Sequence, residues 1–307
     1  MAESPSAAAA RCAIPGVVAI APGEGGLTRL AITNAHATAE LYLHGAHVTR
    51  FQPRGGRALL WMSSASRFAD AAPIRGGIPL CWPWFGAHPT QSEQPAHGFA
   101  RLRSWRLRET TVAPGGESLV ALELVSDAAT LALWPHPFRL TLQISVGRAL
   151  TVTLCIENTG NQPFRCEEAL HTYLAVADVE TVGIDGLTGT TYLDKVRDLA
   201  AFRQDQPLTI TGEVDRVFLD TTATVTVDDP GNRRRLLVSK EGSATTVVWN
   251  PGERKAAGMK DIGPGEWQGL LCVETANVKD HGLTIPPGGQ HRTTLLLSAI
   301  EAGTGKA

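Results

Sequence analysis

The sequence predicts an all-β chain folded as a large antiparallel β-sandwich, and three observations predict it. Apolar and polar residues alternate with period two over long runs. Phe138, Leu140, Leu142, Ile144 and Val146 alternate with Arg139, Thr141, Gln143 and Ser145. Leu150, Val152, Leu154 and Ile156 alternate with Thr151, Thr153, Cys155 and Glu157. Each run turns one face inward and one outward, as a half-buried strand requires. Next, 31 Gly and 19 Pro in 307 residues interrupt the chain too often for a helical bundle. Finally, turn clusters separate short apolar runs throughout, with no strand–helix–strand rhythm.

Taken in order, the elements begin with strands near 28–33, 39–43 and 47–51, closed by the turn Pro53-Arg54-Gly55-Gly56. Segment 63–68 reads as a short helix. Pro114-Gly115-Gly116 precedes a strand at 119–125. The two alternating runs form a hairpin around Gly147-Arg148. Segment 193–203 lacks Gly and Pro and fits either helix or strand. Strands follow near 223–227, 235–239, 244–249, 269–275 and 292–300. They are separated by Asp228-Asp229-Pro230-Gly231, Pro251-Gly252 and Pro286-Pro287-Gly288-Gly289. No repeat or linker divides the chain, so residues 16–303 are expected to form one domain behind a flexible tail, 1–15.

Composition bounds the function. The chain is 43% hydrophobic and 19% charged, enough apolar material for a large core and too much for disorder. A net charge of −2 gives no bulk attraction to nucleic acid or anionic membrane. Cysteines 12, 81, 155, 166 and 272 are odd in number and lack C-x-x-C spacing. That pattern argues against a disulfide framework or zinc ribbon and for reduced thiols in the cytoplasm. No apolar stretch reaches the ~18 residues of a membrane span, and the Ala-rich start lacks the basic and apolar regions of a signal peptide. A monomer or weak dimer acting on a small molecule is expected.

Three segments spend unusual residues in unusual places. Pro73-Ile-Arg-Gly-Gly-Ile-Pro-Leu-Cys-Trp-Pro-Trp-Phe-Gly86 combines a double Gly with Trp82, Trp84 and Phe85. Aromatic faces suit the C–H faces of a sugar ring, and Arg75 offers a fork of donors to an anion. The same residues also fit a buried aromatic loop. Pro95-Ala-His-Gly-Phe-Ala-Arg101 fits either a binding loop carrying His97 and Arg101 or a strand entry. The third is a separated pair, His171 in Leu170-His-Thr-Tyr173 and Glu274 in Leu271-Cys-Val-Glu-Thr275. A carboxylate ending an apolar strand is costly unless paired or used. Desolvation raises its proton affinity toward that of a general base, and His is the natural acid near neutrality. His44 and His47, three apart on one strand, do not suggest a metal site, and no P-loop or nucleophile elbow is present.

In combination, RGGIPLCWPWFG, HGFAR, EEALHTYLAV, EVDRVF and LLCVET resemble the glucose-6-phosphate 1-epimerase branch of the aldose 1-epimerases over about residues 28–300. The resemblance implies a galactose-mutarotase-like sandwich. It also implies a cofactor-free, metal-free isomerase that interconverts the α and β anomers of a hexose 6-phosphate, glucose 6-phosphate first. It places the catalytic acid on His171, the base on Glu274, an active-site Asp on Asp215 and phosphate contacts on Arg75 and Arg101. His97 and Trp84 are expected in the same pocket. The acid and base are expected on opposite sides of the reacting carbon. Two other readings fit: a mutarotase of unphosphorylated aldoses, and a non-catalytic sugar-phosphate-binding protein on the same fold.

Overall fold

The computed structural model describes residues 11–301, and residues 1–10 of the expected tail lie outside the described residues. Within residues 11–15 the chain is tied down. The Ile14 amide and carbonyl both bond Val18, and Cys12 and Ile14 pack against the main core.

Among the described residues the strands pair antiparallel throughout, and one isolated bridge, Trp82 with Gly98, is parallel. Two eight-stranded sheets dominate. One runs Gly183–Asp185, Val225–Asp229, Arg234–Glu241, Gln290–Glu301, Leu150–Asn158, Phe138–Val146, Ser118–Val125 and Arg106–Val112. The other runs Ala200–Arg203, Thr191–Asp194, Val214–Phe218, Thr245–Asn250, Leu270–Asn277, Glu168–Leu170 and Leu80–Cys81, with Tyr173–Ala175 also on Leu270–Asn277. A four-stranded sheet, Val18–Pro22 to His47–Pro53, and a two-stranded ribbon complete the fold.

The alternating runs behave as their pattern requires. The apolar residues of Phe138–Val146 and Leu150–Asn158 are buried and their polar neighbours largely are not. Each Leu, Ile or Val so buried contributes about 1.5–3 kcal/mol of transfer free energy. Facing them across the interior are Leu170, Val248, Leu271 and Val273 of the second sheet. Trp82 is sealed in the same core, its ring 4.5 Å from Phe138 and 4.9 Å from Trp134. No helix among the described residues is long and apolar enough to cross a membrane.

Two local expectations change. Residues 63–68 form a turn at 64–65 within irregular chain, not a helix. Ser63 Oγ accepts the Ala65 amide and Ser66 Oγ the Arg75 amide, and such bonds compete with helix formation. The ambiguous stretch 193–203 lies in a hairpin. Asp194 caps a 3₁₀ turn, Lys195–Arg197, and Asp198 and Leu199 take left-handed φ values of 51° and 62° to reverse the chain.

Candidate active site

Register builds the site. Asp215 pairs with Trp249 and Val217 with Val247. Val247 in turn pairs with Glu274, and Trp249 with Cys272, while Tyr173 also pairs with Cys272. Paired residues share a face, so one face of the second sheet presents Asp215, Trp249, Glu274 and Tyr173 together. This face lies opposite the one that packs in the sandwich core, because Val273 points the other way.

Two glycine-dependent loops cover that face. In Arg75-Gly-Gly, Gly77 has φ +62°, and a Cβ there would meet the Val48 carbonyl oxygen at 2.2 Å. His47 and His44, unassigned by sequence, hold this region through contacts of Nε2 with the Gly76 and Ala72 carbonyls. In His97-Gly-Phe, a Cβ on Gly98 would meet the Trp82 carbonyl oxygen at 1.9 Å. His97 itself sits at φ +63°, a strained conformation for a residue with a Cβ.

A cavity of about 320 Å³ results, within the range of small-molecule sites. It is lined by Arg75, His97, Arg101, His171, Asp215 and Glu274, joined by Phe85, Lys195, Trp249, Lys255 and Met259. Six of the seven residues singled out in the sequence converge here. Trp84 does not. Its ring packs on His88 and Phe99, its indole N–H bonds the Pro95 carbonyl, and it faces a separate cavity with Trp134, Arg165 and Lys279. Phe85 and Trp249 supply the aromatic walls instead. The reason is packing: Trp84, like Trp82, belongs to the main core, while Phe85 packs in a separate cluster with Val217 and Val247 and reaches the cavity.

His171 Nε2 lies 3.3 Å from Glu274 Oε1, with side chains 9% and 1% exposed. The two are neighbours on one wall and do not face each other across the cavity, which corrects the sequence expectation. Burial pushes the Glu274 carboxyl well above its usual range, with Asp215 adding to the rise and Lys195 and Arg101 opposing it. Burial also pushes the His171 imidazole well below its usual value, reinforced by His97, Arg75 and Arg101. Both shifts favour the neutral forms, so the pair holds one proton between two groups in contact.

The imidazole is held from below. It stacks on Tyr173 at 4.8 Å and 13° between planes. The Tyr173 hydroxyl accepts from Arg75 Nη1 at 2.7 Å, and Arg75 Nε and Nη2 donate to Asp261 Oδ2 at 2.9 and 2.8 Å. Arg75 thus lines the cavity and also braces the ring under His171. Arg101 donates from Nη2 to the Ala96 carbonyl and has no carboxylate partner among the described residues. Lys195 Nζ sits 2.8 Å from Asp215 Oδ2 and 5.5 Å from the Phe85 ring centre. Burial, with help from Arg101 and Lys195, drives the His97 imidazole down to about 3, so it is neutral.

Four polar atoms of this cavity are buried without a hydrogen-bond partner among the described residues: Glu274 Oε2, Asp215 Oδ1, Arg101 Nε and His171 Nδ1. Buried polar groups are nearly always satisfied, and a cluster of exceptions around one cavity marks where a polar ligand belongs. An imidazole and a carboxyl in contact, a second carboxylate and a guanidinium without a carboxylate partner form a set suited to proton transfer on a hydroxylated anion.

Sequence reasoning missed Lys195, Tyr173, Asp261 and Trp249. Tyr173 was visible in the motif with His171. The others are brought in by cross-strand register and loop packing, which no local pattern carries.

Comparison with known proteins places this geometry. The sequence profile of aldose 1-epimerases matches residues 28–298. A Cenchrus ciliaris protein provisionally named a glucose-6-phosphate 1-epimerase is 35% identical over 285 residues, covering 90% of this chain and 85% of its own. An Escherichia coli K12 protein with the same provisional name is 34% identical, covering 81% and 83%. A Salmonella typhimurium crystal structure, described as a provisional mutarotase, superposes with a TM-score of 0.87 at 28% identity over 94% of this chain and 95% of that one. A galactose mutarotase-like protein from Clostridium acetobutylicum shares the fold, with a TM-score of 0.69 at 11% identity over 92% and 98% of the two chains.

Proposed function

Because the chain belongs to the aldose 1-epimerase family, we propose that it is an isomerase interconverting the α and β anomers of a hexose 6-phosphate, with Glu274 as base and His171 as acid. The observation that carries this reading is the contact of His171 Nε2 with Glu274 Oε1 inside a cavity whose remaining polar atoms await a ligand.

The chemistry follows from the geometry. Glu274 removes the proton from the anomeric hydroxyl as His171 protonates the ring oxygen. The bond from C1 to the ring oxygen breaks, and its electron pair stays on that oxygen. The O–H pair becomes the carbonyl of the open aldehyde. Rotation about C1–C2 presents the other carbonyl face, and the steps reverse. Both reacting oxygens are bonded to C1, so two neighbouring groups on one wall reach them together. Each proton-transfer role supplies roughly 10²–10⁴-fold in rate. Burial leaves the resting proton on the carboxyl side of the pair. The reaction needs that proton on His171, which leaves Glu274 ionised.

The phosphate reading rests on charge. Arg75 is engaged by Asp261, Lys195 by Asp215 and Lys255 by Glu213. Arg101 is the lining cation left for an incoming anion, and a charge-assisted bond of this kind is worth about 1.5–3 kcal/mol. Asp215 Oδ1 is left to accept a sugar hydroxyl. The test is anomer exchange of glucose 6-phosphate, glucose and galactose by NMR saturation transfer. Enhancement confined to the phosphate is expected. Enhancement of free sugars alone would replace the substrate assignment, and no enhancement of any would favour a binding protein on this fold.

A further inference from the structure

Glu274 can act as a base only when it is ionised, yet it is sealed in the sheet and shares the cavity with a second carboxylate, Asp215. Like charges in one site push protons back onto one of the pair. Something must counter both the burial and Asp215. The groups around Glu274 are His171 and Tyr173 beside it, Cys272 on its own strand, Cys81 on Leu80–Cys81, His97 and Arg101 from the covering loop, Arg75 from the glycine loop, and Lys195. Tyr173, Cys81 and Cys272 are held protonated by burial, and His97 is neutral. Arg75 is spent on Asp261 and Tyr173. The cations that oppose protonation of Glu274 are Lys195 first and Arg101 second, and Arg101 is the cation that receives the substrate phosphate.

We propose that Lys195 is a positioning residue of the epimerase site: it pins and neutralises Asp215, and by doing so it keeps Glu274 able to take a proton. This rests on the reading of Glu274 as the base. The hairpin is built to deliver it. Leu193 pairs with Val217 and Asp194 with Arg216, so the residue that follows projects beside Asp215. Asp194 Oδ1 caps the Val196 amide at 3.0 Å, and Asp194 Oδ2 also lies 3.7 Å from Arg216 Nε. The turn carrying Lys195 is therefore anchored to the strand carrying Asp215. The Phe85 ring lies under the ammonium, 5.5 Å from it, and attracts it by a cation–π contact.

The experiment compares wild type, Lys195→Met and Lys195→Arg in two readouts: the pH profile of kcat, and the titration of the Glu274 carboxyl by ¹³C NMR on the full chain without sugar. Lys195→Met is expected to move the Glu274 midpoint and the acid limb of kcat to higher pH. Below the limb, kcat should fall about tenfold for each pH unit by which the midpoint moves. Lys195→Arg is expected to restore both. Adding Asp215→Asn to Lys195→Met is expected to return the midpoint toward wild type, because the charge being neutralised is gone. If Lys195→Met does not fold, Lys195→Gln, which keeps a hydrogen-bond donor without the charge, carries the same comparison. An unmoved Glu274 midpoint on loss of the ammonium overturns the proposal. Absence of exchange in the wild type would sink the base reading, while the sugar-free titration still decides whether Lys195 governs Glu274.

Discussion

Two buried glutamates stand on one sheet, and their surroundings differ. Glu168 and Glu274 lie on the adjacent strands Glu168–Leu170 and Leu270–Asn277, and each is at most 1% exposed. Glu168 faces the sandwich interior beside its strand partner Asn277. Its Oε1 accepts from Asn277 Nδ2 at 2.7 Å and from Thr293 Oγ1, on the opposite sheet, at 2.8 Å. It clips the two layers together. Glu274 faces the other way, over the cavity, and its one polar side-chain contact among the described residues is His171. Burial raises the proton affinity of both, Glu168 to about 7 and Glu274 well above its ordinary range. A raised proton affinity alone therefore does not mark a base. Each glutamate has one oxygen without a protein partner among the described residues, and what sets Glu274 apart is that it lines a cavity beside His171.

The largest expected effect separates the two by rate. Glu274→Gln should lower enzyme-catalysed exchange about 10²–10⁴-fold with the thermal midpoint kept or raised, since an unsatisfied buried acid is replaced by an amide. A normal rate in this variant would erase the distinction.

The next separates them by stability. The folded-state proton affinity of Glu168 is raised, so its stabilising neutral form is fully present below about 4.5 and is lost as pH climbs through about 7. Gln cannot ionise. Glu168→Gln should therefore gain on wild type as pH rises across that window, by about 3 kcal/mol at most, measured by denaturant unfolding. Lys240, facing Glu168, does not rescue the carboxylate at alkaline pH, because burial lowers its own value to about 7. A flat difference across the window would show that Glu168 does not titrate there.

Smaller effects sharpen the cavity side. Arg101→Ala should raise KM for a hexose 6-phosphate roughly 10–100-fold, the range of one charged hydrogen bond, and leave a free hexose unaffected. Arg75→Lys keeps a charge but loses the fork that holds Asp261 and Tyr173 together. It should lower kcat more than it raises KM, because the ring under His171 loses its brace. Trp84→Phe should leave both constants near wild type, read by the same exchange assay.

The sandwich was legible where its strands are half-buried. Phe138–Val146 and Leu150–Asn158 alternate in sequence and in burial alike. It was less legible in the sheet that carries the cavity. Thr245–Asn250 and Leu270–Asn277 are buried on both faces, so they carry no alternation. Strands such as Glu168–Leu170 and Tyr173–Ala175 are three residues long, too short for any period to show. His171 and Glu274 stood out because a titratable group in an apolar run is costly wherever it sits. Lys195 looked like any exposed lysine, since its meaning depends on a hairpin register. Trp84 was misassigned because composition shows that an aromatic ring is present but not which cavity it faces.

The most direct test compares the two carboxylates in one assay: exchange of glucose 6-phosphate anomers by wild type, Glu274→Gln and Glu168→Gln, at matched folded concentration and against the spontaneous rate. The expected result is exchange at the spontaneous rate for Glu274→Gln and near the wild-type rate for Glu168→Gln. Catalysed exchange near the wild-type rate in Glu274→Gln, or lost only in Glu168→Gln, would contradict the assignment of Glu274 as the base.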